Sequence, residues 1–211
     1  MKSYPKIEHF REEFLGKEFW AFDKLDGSNL RFEWNRKKGW YKFGTRNNMM
    51  DRSYPEFGSG IDLFINKYGD DLESVFSKKY KTVENFVIFL EYFGENSFAG
   101  SHHKDDQKDV VIFDVNAYKR GFLPPNEFID NFGHLHIPKI IGSGKLDYSF
   151  IKSVKENNYG LKEGVIIKGV NGKETWMIKA KTNLWLEKLK SKFGESALIE
   201  EFGKNHLELS R

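Results

Sequence analysis

The chain has 211 residues, a formal charge of +3, 39% hydrophobic, 31% charged and 16% aromatic residues, and no cysteine. That balance supports a folded globule with a sizeable core and excludes collagen-like, coiled-coil and largely disordered readings. Without cysteine there is no disulfide, thiolate zinc site or thiol nucleophile in the chain, so its chemistry rests on Lys, His, carboxylates and hydroxyls. The small cationic surplus permits nucleic acid binding but does not argue for it. No apolar run approaches the roughly 20 residues of a membrane helix, and the first residues lack the apolar core of a secretion signal. The expectation is a single domain in the cytoplasm, without membrane association.

In chain order, alternation from Glu18 to Lys24 predicts a strand, with Trp20, Phe22 and Lys24 on one side and Phe19, Ala21 and Asp23 on the other. After the turn-like Asp26-Gly27-Ser28-Asn29, Leu30 to Trp34 alternates cleanly and Trp40 to Thr45 follows, so the N-terminal third reads as an antiparallel meander. Ile61, Phe64, Ile65, Tyr68, Leu72, Val75 and Phe76 recur at helical spacing, with Gly69 as a break or weak point. Phe86 to Phe93 and Val110 to Val115 are almost continuously apolar, as in central strands covered on both faces. Gly94 to Lys108 between them reads as a loop. Pro124-Pro125 precedes a short helix through Phe128, Ile129 and Phe132, and Asp147 caps another through Phe150, Ile151 and Val154 that stops near Gly160. Gly164 to Val170 and Glu174 to Lys181 flank Asn171-Gly172, a strong hairpin signal. Helical spacing resumes at Asn183, and a second short helix is expected from Glu195 to Leu209.

A lysine at the end of an apolar strand, as Lys24 is, loses proton affinity when partly desolvated near other cations and then serves as a nucleophile. On the second hairpin strand, period two places Lys179 and Lys181 on the face opposite Trp176, Ile178 and Ala180. Two ammonium groups about 7 Å apart suit a polyphosphate and repel each other without one. Glu163 opens the partner strand, which also carries Lys168, and a carboxylate there can hold a divalent cation against phosphate oxygens. Glu91, at the end of the run Phe86 to Leu90, can accept hydrogen bonds from ribose hydroxyls. Phe113 can stack on a purine, and Arg46, just after a strand, can fork onto phosphate or a ribose oxygen. Taken singly, such charges are more often solvated and such an aromatic more often packs in a core; together they read as a nucleotide site. His102 and His103 find no place in it.

In this order the motifs resemble those of the covalent nucleotidyltransferases, the family of polynucleotide ligases and capping enzymes. Lys24-Leu25-Asp26-Gly27 is similar to the motif whose lysine accepts the nucleotide. Glu91-Tyr92-Phe93-Gly94 resembles the ribose-binding motif. Val111 to Val115 resembles the strand whose aromatic stacks on the base, Phe113 here, with Val111 or Ile112 as the alternative positions. Glu163 to Lys168 and Trp176 to Lys181 resemble the last two motifs. Gly27-Ser28-Asn29 is similar to the ending found in RNA ligases of the bacteriophage type, where DNA ligases and capping enzymes generally carry arginine at the position of Asn29.

The resemblance implies a mixed α+β, antiparallel-sheet nucleotidyltransferase domain, ATP-grasp-like in kind, over residues 1–182. A short helical extension of the same domain follows over 183–211, with no OB-fold. It implies ATP and Mg²⁺, with Lys24 as nucleophile. Arg46, Glu91, Phe113, Lys179 and Lys181 would bind the nucleotide, Asp26 and Glu163 the metal, and Asn29 the substrate. It implies a monomer that joins RNA 5′-phosphate and 3′-hydroxyl ends through lysyl-AMP. A minimal DNA ligase and a non-sealing end-binding protein of the same fold are the rival readings.

Overall fold

The computed structural model describes residues 1–94 and 106–202, so His102 and His103 lie outside the described residues. In chain order the strands are β1 (Glu8–His9), β2 (Glu18–Asp23), β3 (Ser28–Asn35), β4 (Gly39–Thr45), β5 (Met49–Met50), β6 (Asn85–Phe93), β7 (Asp109–Ala117), β8 (Gly121–Phe122), β9 (Ile140–Lys145), β10 (Gly164–Asn171) and β11 (Glu174–Lys181). The helices are α1 (Ser59–Lys79), α2 (Pro125–Phe132), α3 (Tyr148–Lys155), α4 (Asn183–Phe193) and α5 (Glu195–Phe202). The chain divides into two compact units. One comprises Met1–Lys6, Leu25–Pro138 and Val170–Thr175, and the other Ile7–Lys24, Lys139–Gly169 and the chain from Trp176 onward.

The first unit is built on a six-stranded sheet in the order β5-β4-β3-β6-β7-β8, antiparallel throughout. Leu30, Phe32 and Trp34 alternate along β3 onto one face, where Phe64, Tyr68, Leu72 and Phe76 of α1 are also buried. Phe32 meets Phe64 edge-on at 4.8 Å, and Phe76 stacks on Phe86 at 4.0 Å. Each such side chain contributes about 1.5–3 kcal/mol of burial. The other face of the sheet carries polar residues on β3 and β6, among them Asn29 beside Glu91 in register. Of the two alternatives at Gly69, a break or a weak point within one helix, the structure takes the single helix. α1 runs unbroken for 21 residues, with Gly69 buried and Trp40 Nε1 only 3.7 Å from where a Cβ would sit. Packing against an indole thus outweighs the weak helix propensity of one glycine, about 1 kcal/mol.

The second unit is built on a five-stranded sheet in the order β1-β11-β10-β2-β9. Phe19, Ala21, Val165, Ile167, Ile178 and Ala180 form its core with Leu146 and with Ile151 and Val154 of α3. Asp147 caps α3 as expected, its Oδ1 accepting from the Phe150 N–H at 2.7 Å. Thr182 caps α4 in the same way, through the Trp185 N–H at 3.1 Å.

One expectation is corrected. β2 does not join the meander: it pairs with β10 and β9, while β3 pairs with β4 and β6. Alternation identifies a strand and its buried side but leaves its neighbour to tertiary packing. To the expected antiparallel sheets the structure adds one short parallel pair, β1 beside β11 with His9 opposite Lys179. A two-residue strand has no period to read. β9 was likewise unanticipated: its Ile140 to Lys145 run contains two glycines and a serine and becomes a strand through pairing with β2. The architecture is mixed α+β, with no closed barrel among the described residues.

Candidate active site

Strand β2 ends at Asp23, and Lys24 continues the ladder for one bond, its N–H donating to the Gly164 carbonyl at 2.9 Å. That bond fixes Lys24 beside the start of β10, and the Lys24 Nζ donates to Glu163 Oε2 at 2.8 Å. Glu163 is buried, and its other oxygen accepts from Lys181. Gly164 makes this convergence possible. Its φ is +157°, and a Cβ there would lie 2.1 Å from the Ala180 carbonyl oxygen. Only glycine lets the end of β11 pass so close, which brings Lys181 onto Glu163.

Lys179 and Lys181 share a face of β11 as period two requires, and both reach a further carboxylate, Glu201 of α5, at 2.6 and 3.4 Å. His9 Nε2 lies 3.0 Å from the same Glu201 oxygen. The mutual repulsion expected of the lysine pair is therefore met by two carboxylates. Burial pushes the Lys181 ammonium below the usual lysine range; Glu163 and Glu201 oppose that shift and Lys24 adds to it. Burial alone would raise Glu201, but the hydrogen bond with His9 and the charges of Lys181 and Lys179 hold it well below the usual carboxylate range. Lys181 also sits 3.4 Å from the ring centre of Trp185 on α4, a cation–π contact. Next to the nucleophile candidate, burial raises Asp23 above the usual aspartate range against the pull of Lys139 and Lys162.

In the other unit, Gly27 is held by Glu91, whose Oε1 accepts the Gly27 N–H at 3.0 Å. A Cβ on Gly27 would stand 2.6 Å from the Tyr92 carbonyl oxygen and 2.9 Å from Glu91 Cγ, so the Asp26-Gly27 turn requires glycine for close approach. Asn29 lies opposite Glu91 in the ladder, and its buried Oδ1 has no hydrogen-bond partner among the described residues. On β7 the register jumps from Ile112 opposite Leu90 to Asp114 opposite Phe89, leaving Phe113 as the extra residue of a bulge. Phe113 is half-buried, whereas Val111 and Ile112 are fully packed, which favours Phe113 over the alternatives as the aromatic able to meet a ligand. Tyr4 packs edge-on to Phe113 at 5.0 Å and donates to Asp114 at 2.9 Å. Arg46 is exposed just past β4. Asp26 is half-buried.

The RNA ligase family matches residues 17–184, most of the chain and all of the motifs above. The chain belongs to the RNA ligase family. Solved structures agree on the fold. A point mutant of Naegleria gruberi RNA ligase with ATP and Mn is 19% identical with a TM-score of 0.64, over 90% of this chain and 59% of that one. The same ligase with PPi is 20% identical with a TM-score of 0.65, over the same shares. A further mutant with AMP and Mn gives 20% and 0.65, again over 90% and 59%. The chain thus spans less than two thirds of the length of these ligases. No curated protein matches it by sequence.

Within this family member, Lys24, Glu163, Lys179 and Lys181 come together in one unit, and Asn29, Glu91 and Phe113 belong to the other. Sequence reasoning missed His9, Trp185 and Glu201 in the first set and Tyr4 beside Phe113 in the second. None stands in a motif, and Glu201 lies 20 residues beyond Lys181. Among the described residues no three Asp, Glu or His side chains cluster as a metal cage. No described helix is long and apolar enough to cross a membrane.

Proposed function

We propose that the chain is an ATP-dependent RNA ligase acting through lysyl-AMP on Lys24, with residues 1–182 as the adenylyltransferase and 183–211 as its extension. The observation that carries the reading is the Glu163 carboxylate bridging the Lys24 and Lys181 ammonium groups, with Lys179 on the same face of β11.

The first step joins Lys24 Nζ to the α-phosphorus of ATP while the bond from that phosphorus to the bridging oxygen breaks. Pyrophosphate leaves with the electron pair, and Nζ gives up a proton. Lys179 and Lys181 neutralise the charge that develops on the leaving group, the term that dominates phosphoryl-type transfers. Glu163 holds the Lys24 side chain in one orientation before attack, so less freedom is lost on reaching the transition state. Glu91 takes the ribose, Phe113 the base and Arg46 a phosphate or ribose oxygen, as the motif resemblance implies. Mg²⁺ suits this donor set, because it commonly binds through one or two carboxylates plus substrate phosphates rather than a protein cage. The motif resemblance assigns it to Asp26 and to Glu163, and when bound it would supply Lewis-acid stabilisation of the phosphates.

In the later steps AMP passes to a 5′-phosphate RNA end, and a 3′-hydroxyl displaces it. Asn29 supports an RNA end, since its orphaned Oδ1 can accept from a hydroxyl and its amide can donate to a phosphate oxygen. Incubation with α-labelled ATP and Mg²⁺, then denaturing electrophoresis, tests the reading. A labelled band that is lost in Lys24→Ala supports it. Label retained in that variant, or absent from the wild type, overturns it.

A further inference from the structure

The cations expected to meet polyphosphate already hold an anion. His9 and Lys179 are register partners on the parallel pair β1 and β11, which turns their side chains to the same side. Lys181 follows two residues later. All three converge on a single oxygen of Glu201, at 3.0 Å from His9 Nε2, 2.6 Å from Lys179 Nζ and 3.4 Å from Lys181 Nζ. Glu201 pairs with two lysines as a carboxylate, and a carboxylate offers acceptors only, so His9 Nε2 donates in that bond. Two close donors and a third ammonium group around one oxygen is more than an ordinary surface ion pair provides, and it is the surrounding that a non-bridging phosphate oxygen requires. The carboxylate is 18% exposed, and the His9 ring also packs on Phe202 at 4.2 Å, so the end of α5 is seated through consecutive residues.

We propose that His9 is a third member of the polyphosphate-binding set with Lys179 and Lys181, and that Glu201 is an internal stand-in which the nucleotide's pyrophosphate portion displaces. This rests on the ATP reading of the site and adds a residue and a competitor to it. Phosphate and carboxylate cannot both take the three donors. The apparent affinity for polyphosphate is therefore the intrinsic affinity scaled by the fraction of molecules in which Glu201 is disengaged. Binding releases the end of α5. The exchange forms no bond to Lys24, so it is read by pyrophosphate binding without adenylylation.

The test is calorimetric titration of inorganic pyrophosphate into the full chain, comparing the wild type, Glu201→Gln, His9→Ala and the double variant. Neutralising the competitor in Glu201→Gln should tighten pyrophosphate by about tenfold, as for a binding-competent state populated at about one part in ten. Adding His9→Ala to Glu201→Gln should weaken it by about tenfold, the loss of one charge-assisted contact. Pyrophosphate should also speed amide exchange in α5 of the wild type. Equal or weaker binding by Glu201→Gln, or unchanged exchange, overturns the stand-in role. If His9 only anchors α5, His9→Ala will tighten binding as Glu201→Gln does and the double variant will match Glu201→Gln, which overturns the assignment of His9. Failure of the ligase reading shows elsewhere, as absence of lysyl-AMP in the wild type, a readout that the titration does not use.

Discussion

Replacing Glu163 by Gln keeps the side chain's shape and removes the charge that two ammonium groups share. At 2.8 Å, the Lys24 ammonium and the Glu163 carboxylate attract by about 6 kcal/mol at an effective dielectric of ~20. Much of that attraction offsets the desolvation of the groups, so it does not measure the net worth of the pair. The substitution acts by stranding charge. Lys181, with its side chain 4% exposed, keeps Glu201 at 3.4 Å as its remaining carboxylate partner among the described residues, while Lys24, at 24%, regains part of its hydration. The expected loss is about 3 kcal/mol, the low end for a broken buried pair. For a chain of this size that lowers the melting temperature by about 6–12 °C. Lys181→Met should cost about 1–3 kcal/mol by leaving one oxygen of Glu163 underused. The double variant removes the stranded ammonium together with its partner, so its loss should fall short of the sum by at least about 1 kcal/mol. Urea denaturation of the four proteins at one pH measures the coupling. Losses that add to within about 0.5 kcal/mol would refute the pairing as the organiser of the site.

Lys24→Ala should abolish covalent AMP while leaving the unfolding free energy within about 1 kcal/mol of wild type, because Lys181 still satisfies Glu163; intact-mass spectrometry after ATP and Mg²⁺ reads the first and urea denaturation the second. Gly27→Ala places a Cβ 2.6 Å from the Tyr92 carbonyl oxygen, so it should cost about 1–3 kcal/mol in thermal denaturation and displace Glu91 from the Gly27 N–H. Asn29→Ala should leave lysyl-AMP formation near wild type and impair sealing of a pre-adenylated RNA strand, seen as accumulated adenylated RNA on a denaturing gel. Glu201 has a depressed folded-state pKa, so its contribution to stability is present above the unfolded carboxylate value of about 4.3 and is lost as pH falls through the folded value. The stability gap between wild type and Glu201→Gln should therefore shrink on acidification below about pH 4.3, and a gap constant with pH would contradict the ion pairing.

Local pattern was enough for most strands, for the presence of α2, for α3 and its Asp147 cap though not its end, which falls at Lys155 rather than near Gly160, and for the hairpin at Asn171-Gly172, because alternation, helical spacing, caps and turn residues act between near neighbours. It also singled out the chemistry of Lys24, Glu163, Lys179 and Lys181, since a strand-end lysine and two lysines at period two are visible in a one-dimensional string. Pairing lay beyond it. That β2 belongs with β9 and β10, and that two residues at Glu8–His9 form a strand beside β11, follow from which faces bury one another across more than 100 residues. The bulge at Phe113 on β7 depends on register against β6, which alternation within β7 alone does not reveal. The same holds for the charges. The sequence shows Lys179 and Lys181 as a repelling pair in want of an anion, and the hairpin places Glu163 beside them, but only folding brings Glu201 to them. A Coulomb partner is chosen by distance in space, and for Glu201, 20 residues beyond Lys181 and outside the hairpin, that distance is a property of the packed chain.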